Sequence, residues 1–237
     1  MKSLARTAGV LYLVVGILGG WAQLYVRARV HVPGDAARTT ENVVAQATLF
    51  RMGFVADLVQ ATCFLVMGLL LYQILKQVSR PLARAMLVFI AVAMSMICLN
   101  LVNHFAALLV ATEPAYATAF GGADGSRAMV LLLLDMHRYG YLLAQMFFGL
   151  WMLPAGLLVL RSGLFPKPLG IALIAGCAGY LVDLFAQFLA PDLASRLAPF
   201  ALAPATVAEV WLLGYLLIVG VRETSTPRPA AAGMPTS

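Results

Sequence analysis

Long apolar stretches alternate with short polar connections along the whole chain. A helix needs about 20 largely apolar residues to cross the hydrocarbon core of a bilayer. Six stretches meet that length, at residues 8–26, 55–75, 87–110, 139–160, 169–189 and 205–221. They are continuously apolar, whereas the strands of a membrane barrel alternate apolar and polar positions. The pattern predicts an all-α polytopic membrane protein, with one six-helix domain over residues 1–223.

The connections differ in length on the two sides of the predicted bundle. On the side of the N-terminus they are tight, at residues 76–84 and 161–168. On the other side, called outer here, they are longer and predict short amphipathic helices. We expect Thr39 or Thr40 to cap one of these, and Ser126 to cap another after the glycine turn at 121–125. Pro191, Pro199 and Pro204 predict a separate short segment before the sixth span.

Composition supports the membrane class and excludes several others. Of the 237 residues, 62% are hydrophobic and 11% are charged, against about 25% charged in a typical soluble domain. Three cysteines are too few for a disulfide-stapled secreted module. The net charge of +6 comes from Lys and Arg residues that stand singly at the ends of apolar stretches, where they anchor helices. No nucleic-acid partner is expected.

Basic residues also predict the orientation, because Lys and Arg accumulate on the cytoplasmic side. Nine of them lie on the side of the N-terminus and seven on the outer side. We therefore expect both termini in the cytoplasm. Residues 224–237 lack apolar periodicity and are expected to form a disordered cytoplasmic tail.

The polar side chains within and beside the spans concentrate toward the outer side. A charge at the bilayer centre costs about 2.5–3.5 kcal/mol on insertion scales, so we expect such residues to be paired or functional. Rise along each helix places them at similar shallow depths, which predicts an outward-facing polar pocket. Its candidate ligand-binding residues are Arg51, Asp57, Asn103, His104, Asp135, His137, Arg138, Asp183 and Glu209.

Three explanations of these residues stay open. They could form packing contacts between helices, such as Arg51 with Glu209 or Arg138 with Asp183. They could bind or pass a small ligand or an ion. They could also hold zinc for a hydrolase, with His104, His137 and Asp183 as ligands.

The zinc alternative has weak support in the sequence. No His-Glu-x-x-His motif occurs, and haem ligation by His104 and His137 is disfavoured because both lie near one surface. No cofactor is predicted. Asp135 and Arg138 are expected to pair three residues apart on one helix. His31 falls in the first outer loop and is expected to be solvated.

Several short motifs, taken in order, resemble a known family. They are Leu24-Tyr25-Val26-Arg27, Val32-Pro33-Gly34-Asp35, Leu49-Phe50-Arg51 followed by Asp57, Asp135-x-His137 with Tyr139-Gly140-Tyr141, Arg161-Ser162-Gly163, Gly179-Tyr180-Leu181-Val182-Asp183, and Glu209. Together they resemble domain-of-unknown-function family 4386, a group of bacterial multipass membrane proteins. The resemblance covers nearly the whole chain apart from the tail. It implies the bacterial inner membrane, and it supplies no activity, cofactor or catalytic residue.

The sequence therefore predicts an integral membrane protein with a polar pocket that binds or passes a small ligand or ion. The intramembrane metal-dependent hydrolase and a structural or partner-binding protein without a ligand remain alternatives. The expected surroundings are the lipid bilayer, and a homo-oligomer is an open alternative. A non-enzymatic role is favoured.

Overall fold

The computed structural model describes residues 1–222 and builds them from helices joined by short connections. The predicted tail at 224–237 lies outside the described residues. The helices are α1 (Lys2–Trp21), a π-helical segment (Ala22–Arg27), α2 (Ala28–Val30), α3 (Ala36–Ala45), α4 (Ala47–Leu75), α5 (Arg80–Thr112), α6 (Pro114–Ala119), α7 (Ala123–Leu150), α8 (Met152–Ser162), α9 (Lys167–Leu189) and α10 (Pro191–Ile218).

Six continuous helical stretches are long and apolar enough to cross a membrane, which confirms the predicted fold class. They are Lys2–Val30, Ala47–Leu75, Arg80–Thr112, Ala123–Ser162, Lys167–Leu189 and Pro191–Ile218. Large apolar side chains cover the surfaces of these helices that point away from the bundle interior. Leu99 and Val102 of α5, for example, are 73% and 65% exposed. Such a surface is stable against lipid tails and costly in water.

The spanning helices form a closed ring. α1 packs on α4, α4 on α5, α5 on α7, the α7–α8 span on α9, α9 on α10, and α10 again on α1. An even number of spans places the N-terminus and the end of α10 on the same face. We call this face proximal. The opposite face, where the first span ends at Val30 and α9 ends at Leu189, is called distal.

Apolar side chains fill the ring toward the proximal face. Trp151 and Met152, at the junction of α7 and α8, are fully buried among Phe64, Met67 and Leu71 of α4. The rings of Phe64 and Trp151 lie 5.7 Å apart in an edge-to-face arrangement. This packing closes the proximal half of the bundle.

Two helix starts differ from the predicted ones. α3 is capped by Asp35, whose carboxylate accepts a hydrogen bond from the backbone N–H of Arg38, so the prediction of Thr39 or Thr40 as the cap is wrong. Thr39 is buried and exchanges hydrogen bonds with the backbone of Val32. α7 starts at Ala123, and Ser126 lies inside it, where its hydroxyl donates to the carbonyl of Val110.

Proline has different effects in the last spans. α10 runs unbroken from Pro191 and contains Pro199 and Pro204, so the predicted separate segment does not exist. In the fourth span the helix is interrupted at Trp151, directly after Leu150. Because Pro154 has no N–H to donate to the carbonyl of Leu150, four residues earlier, the interruption falls where the proline removes a helical hydrogen bond.

Candidate functional site

The distal half of the ring encloses a cavity of about 580 Å³. Its wall is formed by the π-helical segment, the residues that follow it up to Pro33, and helices α4, α5, α7, α9 and α10. Every span therefore contributes to the cavity. The lining residues are Gln23, Arg27, Ala28, Val30, His31, Pro33, Phe50, His104, Leu134, His137, Arg138, Tyr141, Leu142, Gln145, Asp183, Gln187, Ala198 and Leu202.

The cavity occupies the space between the distal parts of α1 and α10. Near the proximal face these helices are in close contact, because a Cβ on Gly9 would lie 2.9 Å from the backbone nitrogen of Leu217. Continuing that antiparallel register brings Ala198 opposite Arg27 and Leu202 opposite Gln23, and all four residues line the cavity. The two helices therefore meet at the proximal end and flank the cavity at the distal end.

A buried ion pair holds one wall. The guanidinium of Arg27 donates through Nη2 to Oδ2 of Asp57, whose side chain is 1% exposed. The other oxygen, Oδ1, accepts from Nε2 of Gln60 at 3.4 Å. Because the carboxylate neutralises the guanidinium, Arg27 can lie at membrane depth.

Arg27 also fixes the tautomer of His137. Its Nε–H donates to Nε2 of His137 at 3.2 Å, so that nitrogen carries no proton. The other ring nitrogen, Nδ1, lies 3.2 Å from the carbonyl oxygen of Asn100 and must be the protonated donor. Asn100 returns a hydrogen bond from its side-chain amide to the carbonyl of His137 at 2.6 Å. His137 is therefore neutral and held from both sides.

Close approach of α5 and α7 makes this exchange of hydrogen bonds possible. The amide of Asn100 lies where a side chain on Gly140 would stand, since a Cβ there would overlap its Oδ1. Asn103 donates to the same Oδ1 at 3.1 Å. Glycine is thus required at position 140 for the Asn100 to His137 contact.

His104 is the second buried imidazole. Its Nε2 lies 3.1 Å from the carbonyl oxygen of Phe50, which can only accept, so Nε2 is the donor. The ring stacks on Phe50 at 3.8 Å and meets the ring of His137 edge-on at 5.3 Å. The remaining nitrogen, Nδ1, is buried and has no hydrogen-bond partner within the described residues.

Toward the proximal end of the cavity, which we call its floor, Asp183 of α9 is 2% exposed. Gln145 of α7 donates to its Oδ2 at 2.9 Å, while Oδ1 is buried without a hydrogen-bond partner among residues 1–222. Gln187, one helical turn further along α9, also lines the cavity. Polar atoms with unused hydrogen-bonding capacity therefore stand on several helices around one space.

Polar groups continue below the cavity. Tyr141 and Gln145 also line a smaller cavity of about 60 Å³ that reaches Tyr180. The hydroxyl of Tyr180 donates to Oε2 of Glu209 at 3.2 Å. Glu209 thus lies beneath the floor of the main cavity and next to the apolar core.

A comparison with protein families establishes what the chain is related to. A family model described as Domain of unknown function (DUF4386) matches residues 7–220. The chain belongs to this family. This confirms the resemblance seen in the ordered motifs. Comparisons of this DUF4386 chain with curated proteins and with solved structures give no match. With its six apolar helices, the chain is an integral multipass membrane protein.

Eight of the nine candidate residues from the sequence fall into three groups. His104, His137, Arg138 and Asp183 line the cavity. Asp57 and Asn103 lie behind it and contact a lining residue or its partner, and Glu209 lies behind Tyr180 of the smaller cavity. Asp135 lies near the mouth, with Oδ1 3.1 Å from Nε2 of His31, although the geometry is not that of a hydrogen bond.

Arg51 lies away from the cavity. It is exposed and borders a shallow apolar groove formed with Leu18, Trp21 and Met52. Because α4 presents Asp57 to the interior, a residue six positions earlier falls on a different face of the helix.

The expected ion pairs do not form within the described residues. Neither Arg51 with Glu209 nor Arg138 with Asp183 is paired, and the partner of Asp135 is His31 instead of Arg138. Arg138 is exposed, with its guanidinium 5.9 Å from the ring centre of Tyr139. His31 has a side chain only 16% exposed, so the expectation that it is solvated is wrong.

Sequence reasoning missed Arg27, Gln23 and Gln145. Arg27 and Gln23 stand four residues apart in the π-helical segment and both line the cavity. A π-helix turns more slowly than an α-helix, and such segments are frequent at functional sites. No sequence signal marks this segment, and an arginine at the end of an apolar stretch has the pattern of a helix anchor.

The donor set fits a metal poorly. The described residues contain no group of three His, Cys, Asp or Glu side chains that could hold a metal ion. Both ring nitrogens of His137 are engaged, by Arg27 and by Asn100, and Nε2 of His104 is engaged by Phe50. Within the described residues, His104, His137 and Asp183 therefore do not form the set of zinc ligands that the hydrolase hypothesis needs.

Proposed function

We propose that this membrane protein binds a small polar molecule in the distal cavity. The observation that carries the proposal is a set of buried polar atoms on three different spans around one cavity that find no hydrogen-bond partner in residues 1–222: Nη1 of Arg27, Nδ1 of His104 and Oδ1 of Asp183. Leaving a buried polar group without a partner costs about 1–3 kcal/mol. A ligand that supplies the missing partners recovers that free energy.

Binding fits the cavity better than open passage. A volume of about 580 Å³ is within the range of about 300–1,000 Å³ common for small-molecule sites. Apolar side chains such as Leu134, Leu142 and Leu202 line it beside the polar groups. The packed core around Trp151 blocks the way to the proximal face. Passage of the ligand would need a second conformation in which this core opens.

We further propose that the protein resides in the bacterial inner membrane with both termini in the cytoplasm. The excess of basic residues on the proximal side supports this orientation. The cavity would then open toward the outside of the cell and take its ligand from there.

Two leucines that follow each other on α7 offer a matched test. Leu142 lines the cavity and Leu143 is 51% exposed on the lipid side. In purified protein, we expect Leu142→Trp to fill the cavity and Leu143→Trp to leave it open. The probes are choline, glycine betaine, butyrate and glucose, and the readout is the thermal unfolding midpoint.

At least one probe should raise the unfolding midpoint of the wild-type protein and of Leu143→Trp, while Leu142→Trp should show no rise. The proposal is overturned if none of the four probes stabilises the wild type, or if Leu142→Trp responds as strongly as Leu143→Trp.

A further inference from the structure

The floor of the cavity carries a carboxylate that pairs with no cationic side chain of the described part of the chain. Asp183 lines the cavity at 2% exposure and receives one hydrogen bond, from the neutral amide of Gln145. Within residues 1–222, no Lys, Arg or His nitrogen lies within ion-pair distance of it. Its Oδ1 has no partner at all in that part of the chain.

A second carboxyl group, that of Glu209, lies behind Tyr180 and does not line the cavity. Glu209 receives a hydrogen bond from Tyr180, and its Oε1 is buried and unpartnered within the described residues. The hydroxyl of Tyr12 of α1 lies beside the Glu209 carboxyl group, although the two do not meet the geometry of a full hydrogen bond. Again no cationic side chain of the described part of the chain pairs with the carboxylate.

The other charged and titratable groups around the cavity do not compensate the two acids. Arg27 is neutralised by Asp57, and His137 is neutral because it accepts from Arg27. His104 uses its donor on Phe50. Arg138 lines the cavity but is exposed, and within residues 1–222 it forms no ion pair with Asp183. His31 lies beside Asp135 near the mouth. The floor is therefore acidic while the wall around Arg27 is balanced.

Aromatic rings lie next to the floor of the cavity. Tyr141, Phe148 and Tyr180 line the smaller cavity, and Tyr141 also lines the main cavity with Asp183. The rings of Phe148 and Tyr180 meet edge-on at 5.7 Å. The faces of aromatic rings attract cations, most strongly where water is excluded. A buried carboxylate beside an aromatic ring is an environment that suits an ammonium group.

We infer that the ligand of the distal cavity is a small organic cation whose ammonium group binds at Asp183, with Glu209 as a more distant carboxyl group behind Tyr180. This inference rests on the proposed function and adds the charge class of the ligand. The cation supplies the positive partner that Asp183 does not find among the described residues. The apolar part of the ligand then lies against Leu142 and Leu202 in the upper cavity.

The test compares choline with its uncharged carbon analogue 3,3-dimethylbutan-1-ol, which has nearly the same shape. Binding is measured by calorimetry on the full-length purified protein. We expect choline to bind wild type at least about tenfold more tightly than the alcohol, since the charge is the only large difference. Asp183→Asn should remove that preference, and Glu209→Gln should reduce it by a smaller factor.

The control is Asp192→Asn, which neutralises an exposed carboxylate at the distal end of α10 and should leave choline binding unchanged. The unfolding midpoint without probe gives a second readout. If Asp183 awaits a cation, Asp183→Asn removes an unpaired buried charge and the midpoint should stay or rise. If Asp183 is a structural group, the midpoint should fall.

The outcomes separate the two proposals. If glycine betaine, butyrate or glucose stabilises the wild type but not Leu142→Trp, and choline binds no better than the alcohol, the cavity binds a ligand of another charge class and the cation inference is wrong. Equal choline binding by wild type and Asp183→Asn also overturns it. If no probe binds, both proposals fail.

Discussion

At the scale of single residues, the pair of Arg27 and Asp57 connects the cavity to the fold. It joins the first span to α4, and through His137 it continues to Asn100 of α5. Each member stabilises the charge of the other in a region where an isolated charge is costly. The same contacts fix the side of the cavity on which His104 and His137 stand.

This pairing predicts a strong non-additive effect. Asp57→Leu leaves the guanidinium of Arg27 unpaired, and we expect it to lower the free energy of unfolding by about 3–5 kcal/mol, the cost typical of breaking a buried pair. Arg27→Met should do the same. The double variant should be more stable than either single variant, because it leaves no unpaired charge. Denaturation in detergent solution measures the free energy of unfolding of the wild type, the two single variants and the double variant.

The matched control is the exposed pair of Arg127 and Asp124, three residues apart on α7. Arg127→Met and Asp124→Leu should leave stability nearly unchanged, since exposed ion pairs contribute little. Purely additive effects at positions 27 and 57 would contradict the interpretation of these residues as a mutually neutralising pair.

Residue-level patterns predicted part of the site, and the missing part has a physical reason. Polarity within apolar stretches identified His104, His137 and Asp183, because burial of such groups is costly enough to stand out. It could not separate Arg27 from an anchoring arginine. The pattern of polar residues also placed Arg51 in the pocket. That prediction used the depth of Arg51 along the helix and did not consider the direction in which its side chain points around the helix.

At the scale of helices, small residues decide how closely the spans approach. On α9, a Cβ on Gly176 would lie 2.8 Å from Cα of Ala205, and one on Gly179 would overlap the carbonyl oxygen of Ala201. α9 and α10 therefore pack backbone against backbone, as small residues allow in membranes. By contrast, Gly16 and Gly20 of α1 have open space beside them.

The close approach predicts opposite outcomes for two neighbouring substitutions on α9. Gly179→Leu must push α10 away at Ala201, and because Asp183 lies one turn further along, we expect a large drop in the unfolding midpoint and loss of probe binding. Ala178→Leu, at an exposed position, should leave both nearly unchanged. Thermal unfolding with and without probe measures the two effects, and equal midpoints would show that the contact does not hold the helices together.

Helix starts were predicted less well than helix existence. Ser, Thr and Asp all cap helices, so Asp35 and Thr39 compete for one start, and tertiary contacts decide between them. Thr39 and Ser126 use their hydroxyls on the backbone of neighbouring segments. Proline in the first turn fits a helix start at Pro191, whereas the continuation through Pro199 and Pro204 depends on packing against α9.

At the scale of the whole molecule, polarity is divided between two ends of one ring. Six spans pack as a closed circuit, apolar toward the proximal face and hollow and polar toward the distal one. The depth of each polar residue, estimated from helical rise, predicted this division. The ring order and the volume of the cavity depend on which faces of the helices meet, and spacing along the sequence does not determine that.

The orientation of this asymmetric ring determines which compartment supplies the ligand, and it can be measured directly. In a background in which Cys63, Cys98 and Cys177 are replaced by Ala, a single cysteine is introduced at Thr118 in distal α6 or at Gln77 in a proximal connection, both exposed positions. With cytoplasmic termini, a membrane-impermeant maleimide should label Thr118→Cys on intact cells. Gln77→Cys should react only after the membrane is permeabilised, which also serves as the control that its thiol is reactive. The reverse pattern would mean that the basic residues mislead here, and that the cavity with Asp183 at its floor takes its cation from the cytoplasm.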